Sequence, residues 1–174
     1  MPSAFGVEIL SFEKYRKAAF VLSVVLACLW MAYIFSFSAA NATDSSEDSG
    51  RITETVVRVI ARDYDKLSQE QQEAIFSLVE TKVRKAAHFG LYTVLGALVA
   101  CACFFCAETD KLKYVIGYLA CFLYGASDEL HQYLSPGRAP LVKDVFIDGA
   151  GSATGIAAVL LVLWIVKSKL KKQM

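Results

Sequence analysis

The sequence predicts an all-α fold, an integral membrane bundle of four transmembrane helices, and two observations support this. Of the 174 residues, 56% are hydrophobic and the mean hydropathy is +0.44, both high for a soluble domain. Charged residues are confined to their own stretches, which leaves four apolar runs of about 20 residues each, the length that crosses a bilayer. Lipid offers no partners to backbone N–H and C=O groups, so each run must be helical. A soluble helical core is the alternative, but four such runs are hard to bury in so short a chain.

The four runs define the predicted spans within a single domain, 1–174. The spans cover about residues 18–40, 86–106, 112–134 and 145–166. The first run follows a basic stretch and precedes small residues, which resembles a signal peptide. It is longer than the ~7–15 apolar residues of such a peptide, so we interpret it as an uncleaved span.

Between the first two spans, residues 41–85 form the predicted extracytoplasmic segment. The polar cluster at 41–50 is typical of an exposed loop. Apolar residues then recur at helical spacing at Ile52, Val56, Val59 and Ile60. Ser68 and Gln71 match a capping box that would start a second short helix. We expect two amphipathic helices that lie on the outer membrane surface or cap the bundle.

Lysine and arginine residues near the spans predict the orientation. Basic residues cluster before the first span, between the second and third spans, and after the fourth. In a four-span chain these three places share one side of the membrane, so both termini are expected in the cytoplasm. Lys82, Arg84 and Lys85 are a counter-signal on the other side. The net charge of +1 gives no indication of nucleic-acid binding.

Polar residues recur at helical spacing at one end of three spans, where each set shares one helix face. Because successive spans run in opposite directions, the three sets reach the same level, the outer membrane interface. They are Lys85, His88 and Tyr92 in the second span, Tyr124, Asp128, His131 and Gln132 in the third, and Asp144 and Asp148, followed by Gly151 and Gly155, in the fourth.

Two interpretations of these polar sets remain open. Charged side chains that face lipid are costly, so the sets are expected to face one another. They could form a structural network that sets helix register, or a binding or catalytic pocket. The number of histidines and carboxylates exceeds what clamping three helices requires, which favours a pocket.

The loop after the third span, "SPGRAP", predicts a tight turn at Pro136 and Gly137 that holds Arg138 over the helix ends. A guanidinium suits phosphate or carboxylate, which it can grip through two hydrogen bonds. Alternatively, Arg138 extends to the membrane interface or forms a salt bridge with Asp128 or Asp144.

These residues, in this order, resemble the VanZ-like membrane protein family. The matching stretches are "RKAAHFGLYTVLGALV" and "DELHQYLSPGRAPLVKDVFIDGAGSATG", and the resemblance covers about residues 18–166. Asp148 departs from the pattern, since the family usually has Asn there, and Gly90 is smaller than the residue often found after His-Phe. The resemblance implies a bacterial cell-membrane protein, and the name-giving member is associated with resistance to teicoplanin-type lipoglycopeptides.

Three functions are considered from these residues. The first is an envelope protein that binds or shields an anionic lipid or lipid-linked cell-wall precursor. The second is a membrane-embedded enzyme acting on such a lipid, and the third is transport or proton relay. The expected binding residues are Lys85, His88, Tyr92, Asp128, Glu129, Gln132, Arg138, Asp144 and Asp148, and the catalytic candidates are His88, Asp128, Glu129 and His131.

No cofactor or metal ion is expected from the sequence. A metal-dependent variant of the enzyme hypothesis would use His88 and His131 together with carboxylates as ligands, since Asp128 and His131 lie three residues apart on one helix. The sequence does not indicate an oligomeric state.

Overall fold

The computed structural model describes residues 4–39, 42–61, 63–107, 110–133 and 142–173. Every regular element among these residues is helical. The elements are α1 (Ala4–Ala39), α2 (Ala42–Ile60), a short 3-10 turn (Tyr64–Lys66), α3 (Gln69–Phe105), α4 (Leu112–Tyr133) and α5 (Val142–Gln173).

Helix α3 is the centre of the bundle, because it contacts α1, α2, α4 and α5. Its most extensive contact is with α5, and glycines make that contact close. A Cβ atom at Gly155 would collide with the backbone oxygen of Thr93, and one at Gly96 with the backbone oxygen of Ser152. The two backbones therefore touch, as small residues allow between membrane helices. The glycines that follow the polar set of the fourth span, Gly151 and Gly155, therefore face α3.

A small buried core joins three helices. Ile34 of α1, Tyr92 and Leu95 of α3, and Cys121 of α4 are at most 2% exposed. Two side-chain bonds to backbone oxygens add to this contact. The indole Nε1 of Trp30 donates to Leu91 O at 2.8 Å, and the Tyr124 hydroxyl donates to Met31 O at 2.6 Å. These bonds tie α1 to α3 and to α4.

Three helices among the described residues are long and apolar enough to cross a membrane: Glu13–Ser38, Gln69–Phe105 and Lys143–Lys172. Large apolar side chains of these helices point away from the protein, including Leu22, which is 58% exposed, and Trp164, which is 66% exposed. Lipid is the environment in which such surfaces are stable. The findings therefore fit a membrane protein.

Helix α4 coincides with the third predicted span but is not among the three apolar helices. Lys113 near its start and Asp128 and Glu129 near its end shorten the uncharged stretch between them. At 22 residues, the helix is nevertheless about 33 Å long, which is close to the thickness of a hydrocarbon core.

The prediction that a short helix and a separate second span meet near residue 85 is wrong. Helix α3 runs without a break over 37 residues, about 56 Å at the usual helical rise. No proline or glycine lies between Gln69 and Phe89, and Lys82, Arg84 and Lys85 are all good helix formers. These three basic residues lie just before the apolar part of α3, and the helix continues through them.

The start of α3 follows the predicted capping box. Gln71 N donates to Ser68 Oγ at 3.4 Å, and Ser68 N donates to Gln71 Oε1 at 3.2 Å. Gln72 Nε2 also donates to Tyr64 O and Leu67 O, at 3.0 Å and 3.2 Å. This prediction is confirmed, and the bonds fix the turn that leads from α2 into α3.

The loop predicted at 41–50 is also wrong, because α2 begins at Ala42. The residues that follow this stretch, up to Ile60, are helical as the sequence predicts. Among the α2 side chains that the structure describes, Thr53 and Val57 are buried, both at 0% exposed. Ile52, Val59 and Ile60 of the predicted apolar stripe are 58%, 75% and 71% exposed, so most of that stripe is not buried.

Candidate functional site

The polar sets of α3, α4 and α5 meet at one end of the bundle. Asp128 lies in the last two turns of α4 and Asp148 in the second turn of α5. On α3, Lys85 and His88 lie beside them, just before the stretch that packs closely on α5. The helical spacing alone predicted that these residues face inward, and their burial agrees.

An ion pair connects α3 to α5 at the edge of the cluster. Lys85 Nζ lies 2.5 Å from Asp144 Oδ1, and both side chains are about a fifth exposed, at 23% and 22%. A partly buried pair is screened less than a surface pair, but its attraction is offset by the loss of hydration. The pair therefore links α3 to α5 while both side chains remain partly accessible to solvent.

Deeper in the bundle, His88 faces Asp148. His88 Nδ1 lies 3.6 Å from Asp148 Oδ1, and the two side chains are 11% and 1% exposed. This distance is too long for an ordinary hydrogen bond, so the two groups are adjacent without a close bond between these atoms. Neither oxygen of the Asp148 carboxylate has a hydrogen-bond partner among the described residues.

Helix α4 adds carboxyl groups to the same place. Asp128 is 2% exposed and Glu129 is 7% exposed. One ligand atom from each of His88, Asp128 and Asp148 lies within 4.8 Å of the other two. Three helices thus each contribute one potential metal ligand to a single buried point.

Two tyrosines line the inner side of this cluster. Tyr92 is 0% exposed, and its ring centroid lies 6.1 Å from that of Tyr124. Within the described part of the chain, the Tyr92 hydroxyl finds no hydrogen-bond partner. A Cβ atom at Gly125 would lie 3.3 Å from Asp148 Cβ and 3.4 Å from Tyr92 Cε1, so Gly125 leaves room for both side chains.

The two histidines occupy different surroundings. The imidazole of His131 stacks against Phe35 of α1, with ring centroids 4.7 Å apart. His88 lies 6.3 Å from Phe37 between ring centroids. The close group of metal-ligand atoms found in the described residues contains His88 and not His131. The metal-dependent variant of the enzyme hypothesis, with both histidines as ligands of one ion, is therefore not what the geometry of the described residues offers.

Some site residues predicted from the sequence cannot be placed. Arg138, with Pro136 and Gly137, lies outside the described residues, and so does the side chain of Gln132. Their assignment to the pocket stays a prediction.

Sequence reasoning missed two residues near the cluster. Ser152 is 0% exposed and follows Asp148 by one helical turn on α5. Trp30 bonds to α3 one residue before Tyr92. The serine could have been found by extending the stripe of Asp144 and Asp148 by another turn. The tryptophan carried a weaker signal, since a buried indole N–H needs an acceptor.

Chemically, the cluster combines an imidazole, buried carboxylates and a half-buried ammonium group. Buried charges in proteins are paired or coordinate metal ions. An imidazole beside carboxylates is also a common acid–base arrangement. The cluster can therefore bind a cation, exchange protons, or contact a charged headgroup through Lys85.

The model of the VanZ/LLP1 family matches residues 22–165 of the chain. That range includes all the cluster residues described above. Neither the curated proteins nor the solved structures include a match to the chain.

Proposed function

The chain belongs to the VanZ/LLP1 family, and from this premise we propose that it binds an anionic, phosphate-bearing lipid of the bacterial cell envelope at the cluster of α3, α4 and α5. The observation that supports this proposal is the convergence of polar side chains from three helices at one end of the apolar bundle. In the topology proposed below, that end of the bundle lies at the level of the lipid headgroups. The lipid-linked precursors of the cell wall carry phosphate in this position.

Lys85 is the described residue best suited to contact a headgroup. Its side chain is partly exposed and its partner, Asp144, lies at the start of α5. Arg138, which lies outside the described residues, is the proposed second cation, since a guanidinium can bind phosphate in bidentate geometry. The deeper carboxylates would contact the sugar or amine groups of the ligand, or a cation that accompanies its phosphate.

The topology belongs to the same proposal. We propose that α4 crosses the membrane as a fourth span, with the cluster at the outer leaflet and both termini in the cytoplasm. Lys113 at the inner end and Asp128 at the outer end would then lie at the two interfaces, where charged groups cost least.

Photo-crosslinking in proteoliposomes tests the lipid proposal. The probes are photoactivatable phosphatidylglycerol, which is anionic, and photoactivatable phosphatidylcholine, which is zwitterionic. Lys85→Met combined with Asp144→Asn removes the cation without leaving a lone carboxylate. This variant should lower labelling by the anionic probe about tenfold, because a hydrogen bond to a charged group contributes about 1.5–3 kcal/mol. Arg138→Ala should lower it as well.

Lys82→Met is the matched control, since Lys82 lies one turn earlier on α3 and is exposed. It should label like the wild type. A separate arm adds inorganic phosphate in excess, and loss of labelling there would mean that free phosphate is the ligand. Equal labelling of the wild type, the double variant and Arg138→Ala would refute a headgroup site at this cluster.

Resistance to teicoplanin-type lipoglycopeptides would follow if the bound lipid were a cell-wall precursor shielded from the drug. Expression of the wild type in a susceptible host should raise the inhibitory concentration of teicoplanin, and the Lys85/Asp144 double variant should not. If expression of the wild type leaves the inhibitory concentration unchanged, the protein does not confer resistance. Lipid binding is tested separately, by the crosslinking experiment.

A membrane-embedded enzyme is the second candidate, and the contact between His88 and Asp148 favours it. An imidazole oriented by a buried carboxylate is a common general base. Incubation of the purified protein with a phosphatidylglycerol phosphate substrate should then release inorganic phosphate, and His88→Gln should abolish the release. No release by the wild type above a protein-free control would exclude this reaction.

A further inference from the structure

We propose that His88, Asp128 and Asp148 bind a divalent transition-metal ion between α3, α4 and α5. The three side chains come from different helices, and the ligand atom that each offers lies within 4.8 Å of the other two. Bonds from zinc to histidine nitrogen and carboxylate oxygen are about 2.0–2.2 Å long. Small rotations of these side chains would bring all three atoms to that distance from one central ion.

Burial of Asp148 is the second observation. Its side chain is 1% exposed, and in the described part of the structure neither carboxylate oxygen accepts a hydrogen bond. An ionised carboxylate buried there without a compensating partner carries a large desolvation cost. Coordination to a cation compensates this cost directly, and the distance of 3.6 Å to His88 leaves that histidine nitrogen available as a ligand rather than engaged in a short bond.

The ligand types indicate the class of ion. Calcium and magnesium prefer sites made of oxygen atoms. A neutral imidazole with carboxylates is a ligand set for zinc, manganese, iron or cobalt. Three protein ligands leave at least one coordination position open. Tyr92, whose buried hydroxyl has no partner among the described residues, lies next to Gly125, as Asp148 does, and its hydroxyl would be a hydrogen-bond partner for a water molecule in that position.

A bound cation would also make the cluster suitable for an anionic headgroup. Carboxylates alone repel phosphate, whereas an ion with an open position attracts it. This use of the ion depends on the proposed function, but ion binding itself does not. A cation held between three helices would in addition stabilise their packing, because it binds the folded arrangement and not the separated helices.

The experiment uses the full-length protein, purified in detergent, treated with chelator and loaded with Co²⁺ alone in phosphate-free buffer. Cobalt bound to histidine and carboxylates gives a visible absorption band, and Zn²⁺ should displace it. We expect about one Co²⁺ per chain and a rise in the unfolding temperature on loading. Asp148→Asn and His88→Gln, which preserve side-chain size, should each weaken binding at least tenfold.

Glu73→Gln is the matched control, because it removes an exposed carboxylate from α3 without touching the cluster. Gel filtration and circular dichroism of each variant show whether it is folded, and Asp128→Asn replaces any variant that is not. Equal cobalt binding by the wild type, Asp148→Asn and His88→Gln would overturn the site and indicate surface binding only. If His131→Gln loses cobalt binding and Asp148→Asn retains it, the proposed set of ligands is wrong. The two histidines would then be the ligands.

No lipid probe is present in this experiment. Failure to bind cobalt therefore leaves the crosslinking result unaffected. Cobalt binding without lipid labelling would leave the ion site in place and refute the proposed lipid function.

Discussion

Single side chains decide how the helices of this protein are held together. Helical spacing placed Lys85, His88 and Tyr92 on one inward face, and the structure agrees. Spacing could not show which residue meets which, because that depends on the register between helices. Backbone contacts at Gly151 and Gly155 set this register, and they bring Lys85 to Asp144 and His88 to Asp148. Contacts between residues so distant in the sequence have no local signal.

Trp30 illustrates a single-residue contribution that can be measured. Trp30→Phe removes the bond from the indole to Leu91 O, so the free energy of unfolding should fall by about 1 kcal/mol. The measurement is unfolding by SDS titration in mixed micelles. Trp164→Phe, at a site that is 66% exposed, is the control and should change little. A smaller loss in Trp30→Phe than in Trp164→Phe would contradict the assigned bond.

At the scale of elements, the contact between α3 and α5 should be the least tolerant of added atoms. Gly155→Ala places a methyl group against the backbone of Thr93 and Ala97. Overpacking of this kind costs about 1–3 kcal/mol, and here backbone rather than a flexible side chain must move. SDS titration should therefore show clear destabilisation.

Gly90→Ala is the matched control for that substitution. It adds the same methyl group to a helix at a position with nothing within 4 Å. Alanine is the better helix former by about 1 kcal/mol, so this variant should be as stable as the wild type or more so. If Gly155→Ala behaves like Gly90→Ala, the backbones of α3 and α5 are not in contact.

The main error of the sequence-based prediction is a helix boundary near residue 85, where α3 is in fact continuous. The polar segment ends and apolar sequence begins near residue 86. This change in composition predicts a short helix and a separate membrane span. Helix formation depends on propensity and on the absence of breakers, and both conditions hold from Gln69 to Phe89, across the boundary near residue 86. Charge composition indicates where a membrane begins, but it does not indicate where a helix begins.

A spin-label distance measurement tests this continuity. Labels at Gln71 and Phe104, in a cysteine-free background, are separated by 33 residues of one helix, or about 50 Å. A right-angle bend near residue 85 would shorten the distance to about 35 Å by the same rise per residue. Double electron–electron resonance in nanodiscs distinguishes the two values. A main distance near the shorter one would contradict a continuous α3.

For the whole molecule, the number of spans determines on which sides the termini lie. The sequence predicted four spans, and three helices among the described residues have the required length and apolar character. The boundaries of α4 agree with the third predicted span. Because charged residues lie near both of its ends, α4 is not among these three helices, and its membrane crossing stays a prediction. Mean hydropathy does not distinguish a membrane helix with inward-facing polar residues from a soluble helix with exposed ones, because polar residues lower it equally in both.

Accessibility of introduced cysteines tests the number of spans. With four spans, cysteines at Lys14 and Lys171 should react with an impermeant maleimide from the same side, and one at Asp65 from the other side. All three positions are exposed or lie in exposed turns. Right-side-out and inverted vesicles, with the native cysteines replaced, provide the two sides. Labelling of Lys14 and Lys171 from opposite sides would mean that α4 does not cross.

The pairing of α3 with α5 has a consequence for synthesis of the chain. Lys85 contacts a carboxylate 59 residues later in the sequence, and His88 faces Asp148 later still. A nascent chain that has not yet passed residue 142 contains α3 but neither of these aspartates. The polar face of α3 must therefore be shielded by the translocon or by water until α5 emerges. Chains truncated before α5 lack both aspartates, so Lys85 and His88 have neither of these partners.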